Sequence, residues 1–169
     1  MNLYIIVLNW NGWEDTIACL KSLYTLSEVN YRLIVIDNNS SDNSVQKMSE
    51  FFSLDSNCWV SVDFFCENDE FVFPFFADKS KPNFFVKSDK NVGYGAGNNI
   101  GLKLIKELEK EKFIDCFFWI LNNDTCVQMD ALSNLVSKYL EDVDSGLKIG
   151  LYGTTIKNYC KHDEVIAYC

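Results

Sequence analysis

The sequence predicts a three-layer α/β fold with a mostly parallel central sheet, and two observations support this. Four short apolar runs, at residues 3–8, 31–36, 83–87 and 113–121, alternate with segments whose apolar residues recur at helical spacing. Asn9, Asp37 and Asn122 directly follow three of these runs, and a segment rich in Asn and Gly begins at Asn91 after the run at 83–87, so polar side chains come together at the carboxyl edge of the sheet. Alternating strands and helices predict right-handed βαβ units, with helices on both faces.

Composition limits the class of protein. The 169 residues predict one domain over residues 1–169, and 23% charged residues argue against disorder. The net charge of −9 and the lack of a basic stripe argue against a nucleic-acid partner. Seven scattered cysteines without paired spacing predict free thiols and no zinc site. Thiols, no signal segment and no run of spanning length together predict a cytoplasmic location.

The first βαβ unit covers residues 3–36. The run at 3–8 reads as a strand buried on both faces, and it ends in the turn Asn9-Trp10-Asn11-Gly12. Asp15 or Thr16 is the expected cap of the following helix, whose apolar face is Ile17, Leu20, Leu23 and Tyr24. The second strand, 31–36, is followed at once by Asp37. A carboxylate at that edge can accept hydrogen bonds from a nucleobase or ribose.

The polar segment 37–44 also predicts a helix start. Ser41 or Asp42 is the expected cap of a helix over residues 45–52. Residues 54–82 then form an aromatic-rich insertion, with a strand expected at 59–65 and a dense aromatic run at 71–76. Either an extra hairpin or an aromatic docking surface fits this insertion. Core packing is the commoner role of such clusters.

A glycine-rich segment, residues 91–101, follows the third strand. Its glycines let backbone approach a ligand at a helix start, where free amides favour anions. The helix is expected to bury Leu102, Ile105 and Leu108. Gly93 and Gly95 resemble part of a dinucleotide fingerprint, but its third glycine would fall at Asn98, which argues against that motif.

The fourth strand leads into Asn122-Asn123-Asp124-Thr125. An Asp flanked by Asn at a strand end is suited to hold Mg²⁺ or Mn²⁺ against a diphosphate, although a simple polar turn also fits. A helix is expected at 130–140 and another strand within 146–155. His162 is the only histidine, and its place in a polar tail argues against a Ser-His-Asp triad.

Taken in order, these motifs resemble the GT-A fold family 2 glycosyltransferases, especially the bacterial rhamnosyltransferase-like branch. The resemblance rests on the Asn-rich end of the first strand, on residues 35–42 and 91–101, and on residues 121–125. It implies a Rossmann-like nucleotide-diphospho-sugar transferase fold. It also implies an inverting, metal-assisted transfer from a UDP-, dTDP- or GDP-linked sugar to a glycan or lipid-linked acceptor in bacterial surface polysaccharide synthesis. Peripheral association with the inner face of the membrane would suit such an acceptor.

The resemblance also implies roles for individual residues. Asn9 and Asn11 would line the nucleoside pocket, Asp37 would bind the base, and Asn39 and Asp42 would shape its rim. Gly93 and Asn99, with Asn91 in the same segment, would lie beside the ribose and sugar. Asn122 to Asp124 matches the D-x-D motif of the family, with Asn122 in place of the first carboxylate, Asn123 between them and Asp124 as the metal ligand.

The motifs assign no residue of this sequence as the catalytic base. In the family it lies well downstream of the metal motif, and only Asp163 and Glu164 are late carboxylates here. We therefore expect the acceptor region to lie outside these 169 residues. A nucleotide-sugar-binding protein without transfer activity is the main alternative, and a dinucleotide-dependent oxidoreductase is a distant one.

Overall fold

A computed structural model describes residues 2–26, 29–74, 83–157 and 165–167. The elements in chain order are β1 (Asn2–Asn9), α1 (Trp13–Leu23), β2 (Arg32–Asp37), α2 (Ser44–Leu54), β3 (Trp59–Phe65), β4 (Glu70–Val72), β5 (Asn83–Ser88), α3 (Tyr94–Glu109), a 3₁₀ segment (Lys110–Asp115), β6 (Cys116–Asn122), α4 (Ala131–Asp144), β7 (Ile156–Lys157) and β8 (Val165–Ala167). His162, Asp163 and Glu164 lie outside the described residues.

The central sheet has six strands in the order β4-β3-β5-β2-β1-β6. All neighbours are parallel except β4, which pairs antiparallel with β3. The four apolar runs predicted as neighbouring parallel strands are β5, β2, β1 and β6, so that prediction is confirmed. The mixed α/β fold with a mostly parallel sheet is confirmed with it.

By its internal contacts the chain divides into two compact units. The first comprises residues 1–20 and 30–125 and holds the six-stranded sheet with α2, α3 and most of α1. The second comprises residues 21–29 and 126–169 and holds α4 and the antiparallel pair β7 and β8. Among the described residues, no helix is long and apolar enough to cross a bilayer.

Helices pack on both faces of the sheet. On one face, Tyr4, Ile6 and Leu8 of β1 share a buried cluster with Ile100 and Leu104 of α3. On the other face, α2 packs on β5. Because β1 has strands on both sides and helices on both faces, its residues 3–9 are all buried.

Helix α3 lies unusually close to β1. A Cβ built on Gly97 would come within 2.7 Å of Leu8 Cδ1, and one on Gly101 within 3.0 Å of Ile6 Cγ2. Real Cβ atoms almost never come closer than 3.0 Å to another heavy atom and rarely come within 3.4 Å, so these two glycines allow the contact. The result places the start of α3 beside the carboxyl end of β1.

Several predicted boundaries were wrong for identifiable reasons. Helix α1 begins at Trp13, and Thr16 is not its cap but a buried residue of its first turn. Helix α2 begins at Ser44 after Asn43, while Asp42 Oδ1 accepts a hydrogen bond from Ser44 N at 2.9 Å. Strand β6 begins at Cys116, because residues 110–115 form a 3₁₀ turn in which Ile114 is 87% exposed.

The carboxyl-terminal predictions also shift. Helix α4 extends to Asp144, beyond the predicted end at residue 140. Residues 146–155 contain no strand, and the next strand, β7, begins at Ile156. Three glycines in that stretch, Gly146, Gly150 and Gly153, weaken it as a strand.

The aromatic insertion begins as a hairpin. Strand β3 matches the predicted range 59–65, and β4 returns antiparallel to it. The Phe64 and Phe71 rings lie 4.7 Å apart, and Phe71 and Phe73 pack against the buried cluster. Phe64, Phe71 and Phe73 therefore pack in or against the core, whereas Phe65 is exposed, and residues 75–82 lie outside the described part of the chain.

Candidate functional site

A cavity opens at the carboxyl edge of the sheet, where β1, β2 and β6 end and the loop after β5 approaches. Its volume is about 740 Å³, within the usual range for small-ligand sites. The lining residues come from four strand ends and from the start of α3: Leu8, Trp10, Asn38, Asn91, Gly93, Tyr94, Asn122, Asn123 and Asp124. Parallel strands bring all of these ends to one edge, as expected.

The structure separates the predicted site residues into three groups. Five line the cavity: Asn91, Gly93, Asn122, Asn123 and Asp124. Asn9, Asn11 and Asp37 instead take part in the hydrogen-bond network beneath and beside it, and Asn39, Asp42 and Asn99 are exposed outside its lining. Sequence reasoning missed Leu8, Trp10, Asn38 and Tyr94. Trp10 between two Asn residues and Asn38 directly after Asp37 were available signals.

Asp37 is buried, at 1% exposure, and fastens the turn after β2. Its Oδ1 accepts hydrogen bonds from Asn9 Nδ2 at 2.8 Å and Ser40 Oγ at 2.6 Å, and its Oδ2 accepts one from Ser40 N at 2.9 Å. A carboxylate has about four lone-pair positions, so roughly one remains for a ligand. Holding the turn is thus the first function of this carboxylate.

The network continues from Asn9 across α1 to β6. Thr16 Oγ1 lies 2.8 Å from Asn9 Oδ1 and 2.9 Å from the Gly12 carbonyl oxygen, and its single hydrogen serves one of them at a time. Asn123 Nδ2 donates to Thr16 Oγ1 at 3.1 Å and to the Gly12 carbonyl at 3.2 Å. The ends of β6, β1 and β2 are therefore tied together by side chains.

Asn11 joins the two loops that follow β1 and β2. Its Oδ1 accepts a hydrogen bond from Ser41 N at 2.8 Å, and its own backbone N–H donates to Ser40 Oγ at 2.9 Å. Asn11 and Asn39 have φ of 53° and 57°, in the left-handed region that Asn tolerates better than most residues. Their conformation, together with their side chains, explains Asn at these positions.

Asn38 positions the glycine-rich segment. Its Nδ2 donates to Asn91 Oδ1 at 3.0 Å, and its Oδ1 accepts from Val92 N at 3.1 Å. Asn91 Oδ1 also accepts from the N–H of Gly93, whose φ of 80° and ψ of 176° favour glycine. The segment before α3 is therefore held against β2 by a buried amide.

The turn at 122–125 carries the predicted metal ligand. The N–H of Thr125 donates to the Asn122 carbonyl at 3.2 Å, which closes a β-turn. Asp124 is exposed to the cavity, while Asn122 Oδ1 accepts a hydrogen bond from the Tyr94 hydroxyl at 2.7 Å. Within the described ranges, no three His, Cys, Asp or Glu residues form a group that could hold a metal by themselves. One carboxylate fits a Mg²⁺ or Mn²⁺ ion whose other ligands are substrate phosphates and water.

Comparison with known proteins places these features in context. The family model described as Glycosyl transferase family 2 matches residues 4–62, which span β1 to β3. No curated protein matches the sequence.

Similarity to solved structures extends over most of the chain. S. aureus TarS 1-349 is 14% identical with a TM-score of 0.54, over 93% of this chain and 42% of that one. TarS 1-349 in complex with UDP is 15% identical with a TM-score of 0.55, over 93% of this chain and 42% of that one. TarS 1-349 in complex with UDP-GlcNAc is 15% identical with a TM-score of 0.53, over 93% of this chain and 40% of that one. The chain thus spans less than half the length of these structures.

Neither match singles out the rhamnosyltransferase-like branch. The structures share the fold, and the family match covers the segment that supplies Asn9, Trp10, Asp37 and Asn38. The family match over residues 4–62 and the fold shared with these structures agree with the resemblance to GT-A fold family 2 glycosyltransferases found in the sequence motifs.

Proposed function

We propose that the cavity binds a nucleotide-diphosphate sugar, linked to UDP, dTDP or GDP, as the donor for sugar transfer. The observation that carries this proposal is the set of amide and glycine groups that hydrogen bonds hold around the cavity at the sheet edge, with the Asp124 carboxylate among the lining residues. Such groups offer donors and acceptors to a base, a ribose and a sugar. The TarS complexes with UDP and UDP-GlcNAc, on the same fold, support this ligand class.

The nucleoside would lie beside the loop after β1. Trp10 lines the cavity at 57% exposure, so a face of its indole is available for stacking on a base. Asn9 and Asp37 would act by holding this loop and the turn after β2, with one lone pair of Asp37 free for the base. Asn11, Asn39 and Asp42 would shape the rim.

The diphosphate and the sugar would lie between α3 and β6. Gly93 permits close approach of backbone at the start of α3, and Asn91, Asn99, Asn122 and Asn123 would contribute amides. Asp124 would hold the divalent cation, Mg²⁺ or Mn²⁺, which when bound would neutralise charge on the departing diphosphate. We also propose that the transfer inverts the configuration at the anomeric carbon. The acceptor would be a glycan or a lipid-linked molecule of bacterial surface polysaccharide synthesis. A location of the protein at the inner face of the membrane would suit that acceptor.

One observation favours a second candidate, a nucleotide-sugar-binding protein without transfer activity. Asp124 is the single carboxylate that lines the cavity in the described part of the chain, and the cation requires it. Deprotonation of an acceptor hydroxyl needs another base. A dinucleotide oxidoreductase is less favoured, because Asn98 stands where its fingerprint requires glycine.

Calorimetric titration tests the donor site. UDP, dTDP and GDP are titrated into wild type, Asp124→Ala and the control Asp115→Ala, first with Mn²⁺ and then with EDTA. Asp115 is an exposed carboxylate just before β6, at the opposite end of that strand from the cavity. We expect Mn²⁺ to strengthen binding to wild type and Asp115→Ala but not to Asp124→Ala. Equal enhancement in all three would refute the cation assignment, and no binding of any nucleotide would refute the donor site.

Transfer activity needs a separate assay. The chain is incubated with a UDP-sugar and a lipid-linked or glycan acceptor, and the anomeric configuration of the product is read by NMR. An inverted product supports the transferase. Nucleotide binding with no product from any acceptor supports the binding protein.

A further inference from the structure

Tyr94 and Asn122 form a hydrogen bond across the cavity. The Tyr94 hydroxyl, from the first residue of α3, donates to Asn122 Oδ1 at 2.7 Å, at the last residue of β6. Both residues line the cavity, and Tyr94 is 58% exposed. A tyrosine so exposed contributes little to the core, so its hydroxyl contact is the feature to explain.

Both partners are presented by well-held backbone. Tyr94 follows Gly93, which Asn38 and Asn91 hold in place, and Gly97 lets the first turn of α3 dock on β1. Asn122 lies at the end of a strand fully paired with β1, and its carbonyl closes the turn to Thr125. The contact thus joins two rigid parts of the site.

This hydrogen bond competes with a cation for Asn122. Asn122 and Asp124 lie at the first and third positions of one turn, and both line the cavity. Mg²⁺ and Mn²⁺ accept amide oxygens as ligands. A hydroxyl that donates to Asn122 Oδ1 occupies one of the two lone pairs of that oxygen and orients the amide toward Tyr94, so the oxygen becomes a poorer ligand for a cation.

We propose that Tyr94 is a positioning residue that engages Asn122 and leaves Asp124 as the one protein ligand of the cation. This inference rests on the proposed function. It makes Tyr94 one of the residues that determine how strongly nucleotide binding depends on a divalent cation. It predicts a site in which the cation binds mainly through the diphosphate. Wild type should therefore show a modest metal requirement.

Tyr94→Phe tests the inference, because it keeps the ring and removes the hydroxyl. Mn²⁺ binding is measured by electron paramagnetic resonance for wild type and Tyr94→Phe, with and without UDP. The same pair is made in an Asn122→Ala background. We expect Tyr94→Phe to tighten Mn²⁺ binding about threefold to tenfold, the range of one hydrogen bond, and to have no effect when Asn122 is Ala.

Two results would overturn the inference: equal Mn²⁺ affinity in wild type and Tyr94→Phe, including no binding by either, or a gain that persists with Asn122→Ala. UDP affinity in EDTA is measured on the same proteins. Absence of UDP binding refutes the proposed donor site, while the comparison of Mn²⁺ affinities without UDP still decides the role of Tyr94.

Discussion

The buried carboxylate of Asp37 allows a sharp test of the network under the cavity. Asp37→Ala removes the acceptor of three hydrogen bonds, two on Oδ1 and one on Oδ2. Asn9 Nδ2 then keeps a single partner, Ser40 Oγ at 3.1 Å, and Ser40 N loses the partner that the structure shows. The change therefore leaves donors underused at the carboxyl ends of β1 and β2.

The size of the effect follows from these contacts. A buried donor left without a partner costs roughly 1–3 kcal/mol. Because Asn9 retains one hydrogen bond and Ser40 is only half-buried, we take the lower part of that range for each donor. The free energy of unfolding should fall by about 2–3 kcal/mol. A domain with about 5–15 kcal/mol of stability still folds after such a loss.

Urea unfolding of wild type, Asp37→Ala and Asp42→Ala measures this loss. Asp42 is the matched control, since it is exposed and accepts one backbone hydrogen bond, from Ser44 N, so its loss should cost about 0.5–1 kcal/mol. The dependence on urea should stay the same in all three if the folds are equally compact. A loss for Asp37→Ala no larger than that for Asp42→Ala would refute the reasoning. If UDP binding by Asp37→Ala weakens by more than its unfolded fraction explains, Asp37 also contacts the nucleotide directly.

Three further predictions follow from the structure. Trp10→Ala should weaken UDP binding by about 1–3 kcal/mol in calorimetry through lost stacking, and an unchanged affinity would remove Trp10 from the site. Gly97→Ala should lower the urea midpoint of unfolding because the added Cβ would meet Leu8. Gly95→Ala adds a Cβ in open space and should raise the free energy of unfolding by up to about 1 kcal/mol. Equal effects of the two changes would contradict the packing account. Hydrogen bonds from Lys138 and then from the Tyr152 hydroxyl hold the pKa of Asp142 below its ordinary value. The stability that this lowered pKa gives is present above the ordinary Asp pKa of about 3.9 and is lost as the pH falls through the lower pKa of the folded state. Asp142→Asn should therefore reduce the fall in the free energy of unfolding that is measured between about pH 5 and pH 2.

Much of the fold was determined by local sequence pattern. The runs that became β1, β2 and β5 are apolar on both faces, and a segment with that pattern is stable only between neighbouring strands and beneath helices. The run that became β6 has a similar pattern but forms an edge of the sheet, where Phe118 and Ile120 are partly exposed. Polar residues directly after those runs then had to meet at one edge. For this reason the cavity edge, with Gly93 and Asp124, could be predicted from the sequence.

The tertiary structure determined which role each polar residue has. Asp37 and Asn38 are adjacent, yet one fastens its own turn and the other reaches the glycine-rich segment more than fifty residues away. Nothing in the sequence ranks one Asn above another, because a hydrogen-bond partner depends on which loops pack together. The contact of Tyr94 with Asn122 has the same origin. It exists because Gly97 brings α3 close to β1, whose partner strand β6 carries Asn122.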